Sequence, residues 1–227
     1  AGVATAIAVG GPGAVFWMWL SAFFGMMTNY SENVLGIFYR KKNDHGEWSG
    51  GAMYYINEGL KDRKGFRHIA KPLAVLFSIF CVLASFGIGN MTQVNSISSA
   101  VKSNFNIPTI VTGIALAVIA ALVIVGGIKR IASVTEKLVP FMALFYIIGC
   151  LIIFFSNFHQ IPYVFSSIFS NAFNFGAIAG GVGGYIIKRA VTMGFKRGVF
   201  SNEAGLGSSV MVHSASDVKE PVVQGMW

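Results

Sequence analysis

An all-α, multi-pass membrane bundle is the fold class this sequence predicts, on three observations. Of its 227 residues 54% are hydrophobic and only 11% charged, where a soluble domain carries about 25% charged residues. Four long uncharged stretches, 3–31, 72–101, 103–128 and 138–158, each hold the roughly 20 apolar residues that cross a hydrocarbon layer of about 30 Å as a helix. The third observation is where the cations fall. Eight of the seventeen Lys and Arg (Arg40, Lys41, Lys42, Lys61, Arg63, Lys64, Arg67, Lys71) lie between the second and third apolar stretches; the next connection has only Lys102, the one after it Lys129, Arg130 and Lys137, and residues 157–174 have none. This alternation of rich and poor loops follows the positive-inside rule and places the basic loops in the cytoplasm. The formal charge of +8 is thus spent on topology and does not point to nucleic acid.

The segments follow in order. Residues 1–10 read as the outer end of a first helix, closed by Gly10-Gly11-Pro12-Gly13, because glycine supplies a helix stop and proline a fresh start. A second helix takes 12–38. A polar cytoplasmic connection over 41–71 follows, with a short amphipathic helix near 50–60. Lys71-Pro72 opens the third span (72–101), Asn106-Ile107-Pro108 the fourth (107–128) and Glu136 to Pro140 the fifth (138–157), with Pro140 in its first turns, where it bends a helix little. "HQIPYVFSSIFSNAFNFG" is aromatic and uncharged, as suits the outer interface. A broken sixth segment falls within 175–215, since "GAIAGGVGGYII" and two Lys-Arg pairs do not form one apolar run. The first run lacks the basic start of a signal peptide. The start without Met and the end at Trp227 suggest a chain missing both ends. Cys81 and Cys150 sit in apolar runs as small hydrophobes.

Function is sought where polar groups enter lipid depth, because they are costly there unless they face a partner, a cavity or a solute. In "SFGIGNMTQVNSISS", helical spacing puts Gly89, Gln93, Ser96 and Ala100 on one face, a long amide among small neighbours, and Gln93 is read as a solute contact. Asn90 and Asn95 equally suit interhelical hydrogen bonds. In "GVFSNEAGLGSSVMVHSAS", Ser201, Asn202 and Glu203 precede Ala204-Gly205-Leu206-Gly207. Glycines there permit the helix to unwind, and unwound backbone at membrane depth is how transporters build ion and substrate sites. The alternative is a glycine-capped cytoplasmic turn with Glu203 in water. Glu32, beside Asn29 and Asn33, reads as a carboxylate at the inner end of the second helix. His159 and His213 are isolated, no Cys or His spacing resembles a metal site, and there is no P-loop. No nucleophile has a base beside it, so an enzyme is not expected, and no cofactor.

With those residues in view, the chain resembles the sodium:alanine symporter family over its whole length. "GGPGAVFWMWLSAFFG" is similar to that family's signature stretch, "GNMTQVNSI" and "GVFSNEAGLGS" match two further segments in the correct order, and "AGVATAI" looks like the outer half of the first helix. The Gly-x-Gly-Asn break that precedes that half-helix in the family is missing here. The resemblance implies a LeuT-type inverted-repeat fold, of which this chain would hold the first repeat and the start of the second. It implies a symporter of the cell membrane that imports alanine or glycine with a sodium ion by alternating access. By motif, Ala1 and Gly2 would border the amino-acid pocket, Gln93 with Ser96 on its face would contact the substrate, and Asn202 to Gly205 would form the break of the sixth helix. Asn202 and Glu203 are the cation-coupling candidates. Proton coupling through Glu203, or a non-transporting membrane sensor or scaffold, are the alternatives.

Overall fold

The computed structural model describes residues 2–44, 46–87, 90–173 and 181–227. Its elements are, in chain order, α1 (Gly2–Gly10), α2 (Gly13–Phe38), a two-stranded hairpin of β1 (Lys41–Lys42) and β2 (Trp48–Ser49), α3 (Ala52–Lys61), α4 (Arg67–Ser85), α5 (Asn90–Phe105), α6 (Thr109–Ile124), α7 (Gly127–Ser156), a 3-10 turn (Phe158–Gln160), α8 (Ile161–Ala172), α9 (Gly181–Asn202), α10 (Ser209–Ser214) and α11 (Pro221–Met226). Contacts divide the chain into two units, Ala1–Ser85 with Ser166–Trp227, and Phe86–Phe165. Two stretches, Arg67–Phe105 and Arg130–Ser156, are long and apolar enough to cross a membrane by length and composition; the apolar helix Thr109–Ile124 is shorter.

In the first unit the chain reverses where the sequence puts glycine and proline. Gly11, at φ 74°, donates its N–H to the carbonyl of Ile7 at 2.8 Å and closes α1, and Pro12, at φ −56°, has the angle a new helix requires. α2 is the spine of this unit, with α9, α1, α10 and α11 packed on it. The seam between α2 and α9 is made of small residues. Ala190 and Ala14 are buried, and a Cβ on Gly194 would stand 2.7 Å from the Ala14 carbonyl oxygen, one on Gly198 2.9 Å from Ser21 Cβ. Ala190, Gly194 and Gly198 recur every fourth residue and so share one stripe of α9, which lets the two backbones approach closely. On the other side of α2, Phe16 lies 5.7 Å from Phe169 and 4.6 Å from Phe173 between ring centroids. The aromatic run that opens α2 is therefore matched by aromatic residues at the end of α8.

α4 begins at Arg67, ahead of the expected opening at Lys71-Pro72. Pro72 lies early enough in the helix to forfeit only a hydrogen bond near its first turn. The hairpin at 41–49 was not anticipated; the Asn43 side-chain oxygen accepts the Glu47 N–H at 2.8 Å across its turn.

In the second unit α6 lies against α5 on one side and α7 on the other. Asn106 caps α5 at φ 57°, an angle Asn tolerates better than most residues. α7 starts at Gly127, eleven residues before the expected 138, because no Gly or Pro follows Gly127 until Pro140. Pro140 is consequently inside the helix and not in its first turns. Most apolar side chains of α6 and α7 point outward: Ile114, Leu122, Phe145 and Ile153 are all exposed.

Candidate functional site

The interruption after α9 is built from residues 202–208. The Glu203 N–H closes α9 on the Val199 carbonyl at 2.9 Å, and the Leu206 N–H bonds back to the Glu203 carbonyl at 3.1 Å. Glu203, Gly205 and Gly207 alternate at φ 55°, 84° and 69°. Glycine adopts such angles freely, whereas for Glu203 the left-handed region carries a cost that its surroundings must offset. Part of that support is local. The Asn202 side-chain oxygen accepts the Ala204 N–H at 3.0 Å, and the Ser208 hydroxyl donates to the Glu203 carboxylate at 2.8 Å.

The rest comes from α2. Glu32 Oε2 accepts the Gly205 N–H at 3.1 Å, and the Ser209 hydroxyl donates to Asn29 Oδ1 at 3.0 Å. Alternating left-handed residues turn successive N–H groups toward one concavity, a natural seat for a carboxylate. Two side chains one helical turn apart on α2 thus hold the middle of the interruption and the start of α10. Gly25, one turn further back, leaves the space that Asn202 fills: a Cβ there would stand 3.0 Å from Asn202 Nδ2.

Asn202 also lines a cavity of about 180 Å³ with Ser201, Val3 of α1, and Val15, Met18 and Trp19 of α2. That is below the roughly 300–1,000 Å³ of pockets for drug-sized ligands, a scale that suits a small solute. Asn202 Nδ2 is buried without a hydrogen-bond partner. With its oxygen committed to Ala204, the group left over is a donor, and a donor suits a carboxylate or a water before it suits a cation. Glu203 is exposed.

Of the residues expected at the site, Gly2 opens α1 next to Val3 of this cavity, and Asn202 and Gly205 belong to the same interruption. Ala1 and Gly89 lie outside the described residues, as does 174–180 of the glycine-rich run. Gln93 and Ser96 are on α5 in the other unit. Gln93 is exposed, and Ser96 donates to the Thr92 carbonyl of its own helix at 2.9 Å. What sequence reasoning undervalued was Glu32: the i, i+3, i+4 spacing of Asn29, Glu32 and Asn33 already placed three polar groups on one face. Asn33 is 1% exposed.

Further along, the chain after the interruption is tied back to the end of α2. Arg40 donates to the Ser214 carbonyl at 3.1 Å and to the carbonyls of Ser216 and Val218, with its guanidinium 4.0 Å from the centre of the Trp48 ring. Burial pushes Arg40 below the usual arginine range while Asp217 opposes the shift. Gln224 meets His213 Nδ1 at 2.6 Å and accepts the Ser216 hydroxyl at 3.0 Å.

Comparison with known proteins gives the family of the chain. The model of the sodium:alanine symporter family matches residues 1–227. The chain is 50% identical over 226 residues to the sodium/alanine symporter AgcS of Methanococcus maripaludis, covering 100% of this chain and 48% of that protein. It is 42% identical over 226 residues to a putative sodium/proton-dependent alanine carrier protein, YrbD, of Bacillus subtilis, covering 100% of this chain and 44% of the relative. To the probable sodium/glutamine symporter GlnT of the same organism it is 38% identical, over 99% of this chain and 44% of that one. The chain spans about half the length of the curated relatives it matches. It belongs to the sodium:alanine symporter family, a family of membrane transporters and not of enzymes.

Proposed function

We propose that this chain forms part of a symporter that imports a small neutral amino acid, alanine or glycine, together with a sodium ion across the cell membrane. Transport proceeds by alternating access in a LeuT-type inverted-repeat fold. The observation that carries this reading is the interruption at 202–208 beside a small cavity that α1, α2 and α9 share, with a buried amide donor, Asn202 Nδ2, directed to no protein partner. Unwound backbone at such a place is how symporters present ligands to a small zwitterion and its cation. The substrate contacts are Ala1, Gly2, Gln93, Asn202 and Gly205, with Ser96 beside Gln93 shaping that face while its hydroxyl stays on the Thr92 carbonyl, and the free donor of Asn202 supports a place at the substrate carboxylate. Glu203 is the remaining cation-coupling candidate. Sodium is cargo here and not a resident cofactor.

The test is uptake of labelled alanine by proteoliposomes that hold the intact transporter. Accumulation under an inward sodium gradient, and none under a potassium gradient, is the expected result. Uptake that ignores sodium and collapses with a proton gradient would instead support Glu203 as a proton carrier. Saturable alanine binding without flux would replace transport by sensing.

A further inference from the structure

An open groove of about 640 Å³ lies between α3 and α4 in the first unit, and none of residues 202–208 lines it. Lys41 and Lys71 border it, Asn57 and Glu58 of α3 form one wall, and Val75 and Ile79 of α4 form the floor. Val75 and Ile79 are 51% and 50% exposed, so this unit's own side chains do not fill it. Positions 71, 75 and 79 recur at every fourth residue and make one stripe along α4. That stripe starts on an ammonium group and continues as hydrocarbon for about 12 Å. Charge at the rim is in excess. Glu58 is shared between Lys41 at 3.0 Å and Lys61 at 3.8 Å, and among the described residues Lys71 has no ion pair.

We propose that this groove binds one anionic phospholipid of the cytoplasmic leaflet, with its phosphate between Lys71 and Lys41 and an acyl chain along Val75 and Ile79. The order of polarity along α4, cation first and hydrocarbon after, is the order of a phospholipid entering the bilayer from that side. Another apolar helix laid in the groove would strip water from the Lys71 ammonium and return no counter-charge, which is costly. A zwitterionic lipid would leave the rim's excess charge unmatched. The inference rests on the cytoplasmic placement of the 41–71 connection, the side whose leaflet is anionic and where basic pockets between helices take such headgroups.

The experiment is native mass spectrometry of the intact transporter titrated with phosphatidylglycerol, with phosphatidylcholine of the same chains, and with inorganic phosphate. Phosphatidylglycerol is expected to bind with preference, and inorganic phosphate not to displace it. Lys71→Ala and Lys41→Ala should each weaken it by about fivefold. Lys71→Arg should retain it, and Lys64→Ala, a cation of the same connection outside the groove, should leave it unchanged. Equal binding of the two lipids, displacement by inorganic phosphate, no adduct at all, or unchanged binding in both Lys71→Ala and Lys41→Ala would overturn the proposal. So would an equal loss in Lys64→Ala, which would mean diffuse attraction without a site. Lipid binding is read without transport, so a protein that binds phosphatidylglycerol but carries no alanine refutes only the function proposed above.

Discussion

The Glu32 carboxylate accepts the Gly205 N–H at 3.1 Å, a hydrogen bond between residues 173 positions apart. It joins the last two turns of α2 to the backbone of the interruption that follows α9. Charged acceptors on backbone N–H groups make shorter and stronger bonds than neutral ones. Glu32→Gln keeps an acceptor oxygen and loses the charge; Glu32→Ala loses both. Because the pair is partly solvated, stability should fall only by about 0.5–1.5 kcal/mol for Glu32→Ala. Sodium-driven uptake should fall more steeply than stability, with Glu32→Gln in between. Uptake by Glu32→Ala at the parent rate, with the protein monodisperse in detergent, would show that the interruption holds its shape unaided.

Gly205 separates backbone strain from crowding. A Cβ there would find only Thr28 Cγ2 at 3.6 Å, an ordinary contact, while φ is 84°. Gly205→Ala should therefore cost roughly 1–2 kcal/mol through its left-handed angle alone, and Gly205→Asn less, since Asn visits that region more readily. The check is the thermal unfolding midpoint of the two variants side by side. If alanine is the milder of the two, the angle is not the constraint.

On α5 the two expected contacts should part company. Gln93 is exposed and offers two donors and an acceptor, so Gln93→Ala should leave stability unchanged and weaken alanine binding about tenfold to a hundredfold, equivalent to roughly 1–3 kcal/mol. The Ser96 hydroxyl is already engaged by the Thr92 carbonyl. Ser96→Ala should change affinity by less than about threefold. Calorimetric titration of the intact transporter with alanine measures both, and equal affinities in parent and Gln93→Ala would remove Gln93 from the substrate site.

Acid should loosen the connection between α2 and α4. The Lys41 ammonium, donating to the Glu58 carboxylate, holds it below its ordinary value of 4.5, with Lys61 and Asn57 assisting. A carboxyl whose folded value is depressed adds stability above its unfolded value, and that stability is lost as pH falls through the folded one. Unfolding midpoints followed from neutral pH down through the carboxylate range should decline on the acid side in the parent. In Glu58→Gln the decline should be shallower, and parallel curves would assign the acid sensitivity elsewhere.

Helix punctuation was legible wherever glycine or proline enforces it, as at Gly10 to Gly13 and at Asn106 to Pro108. It was misjudged where proline stands near a start. Pro72 looked like an opening residue because its ring excludes a full helix behind it, yet the first turns of α4 lose little by containing it. The start of α7 was misplaced because hydropathy marks where a helix is apolar and not where it begins. The hairpin left no periodic signal in two-residue strands. Of the interruption, Asn202 to Gly205 could be read from glycine spacing, since unwinding is a local property. The bond from Glu32 could not, because which backbone N–H a carboxylate reaches depends on how α2 and α9 pack.

Arg40 addresses the oxygens of the main chain at 214, 216 and 218, so the link between the end of α2 and the chain leading into α11 does not depend on which side chains stand at 216 and 218. Mutational tolerance should divide accordingly. Those positions can change their surface chemistry without releasing these three hydrogen bonds, which on the α2 side depend on position 40 alone. Lysine there could satisfy one carbonyl at a time but not fan across three while stacking on Trp48, since it lacks the planar fork.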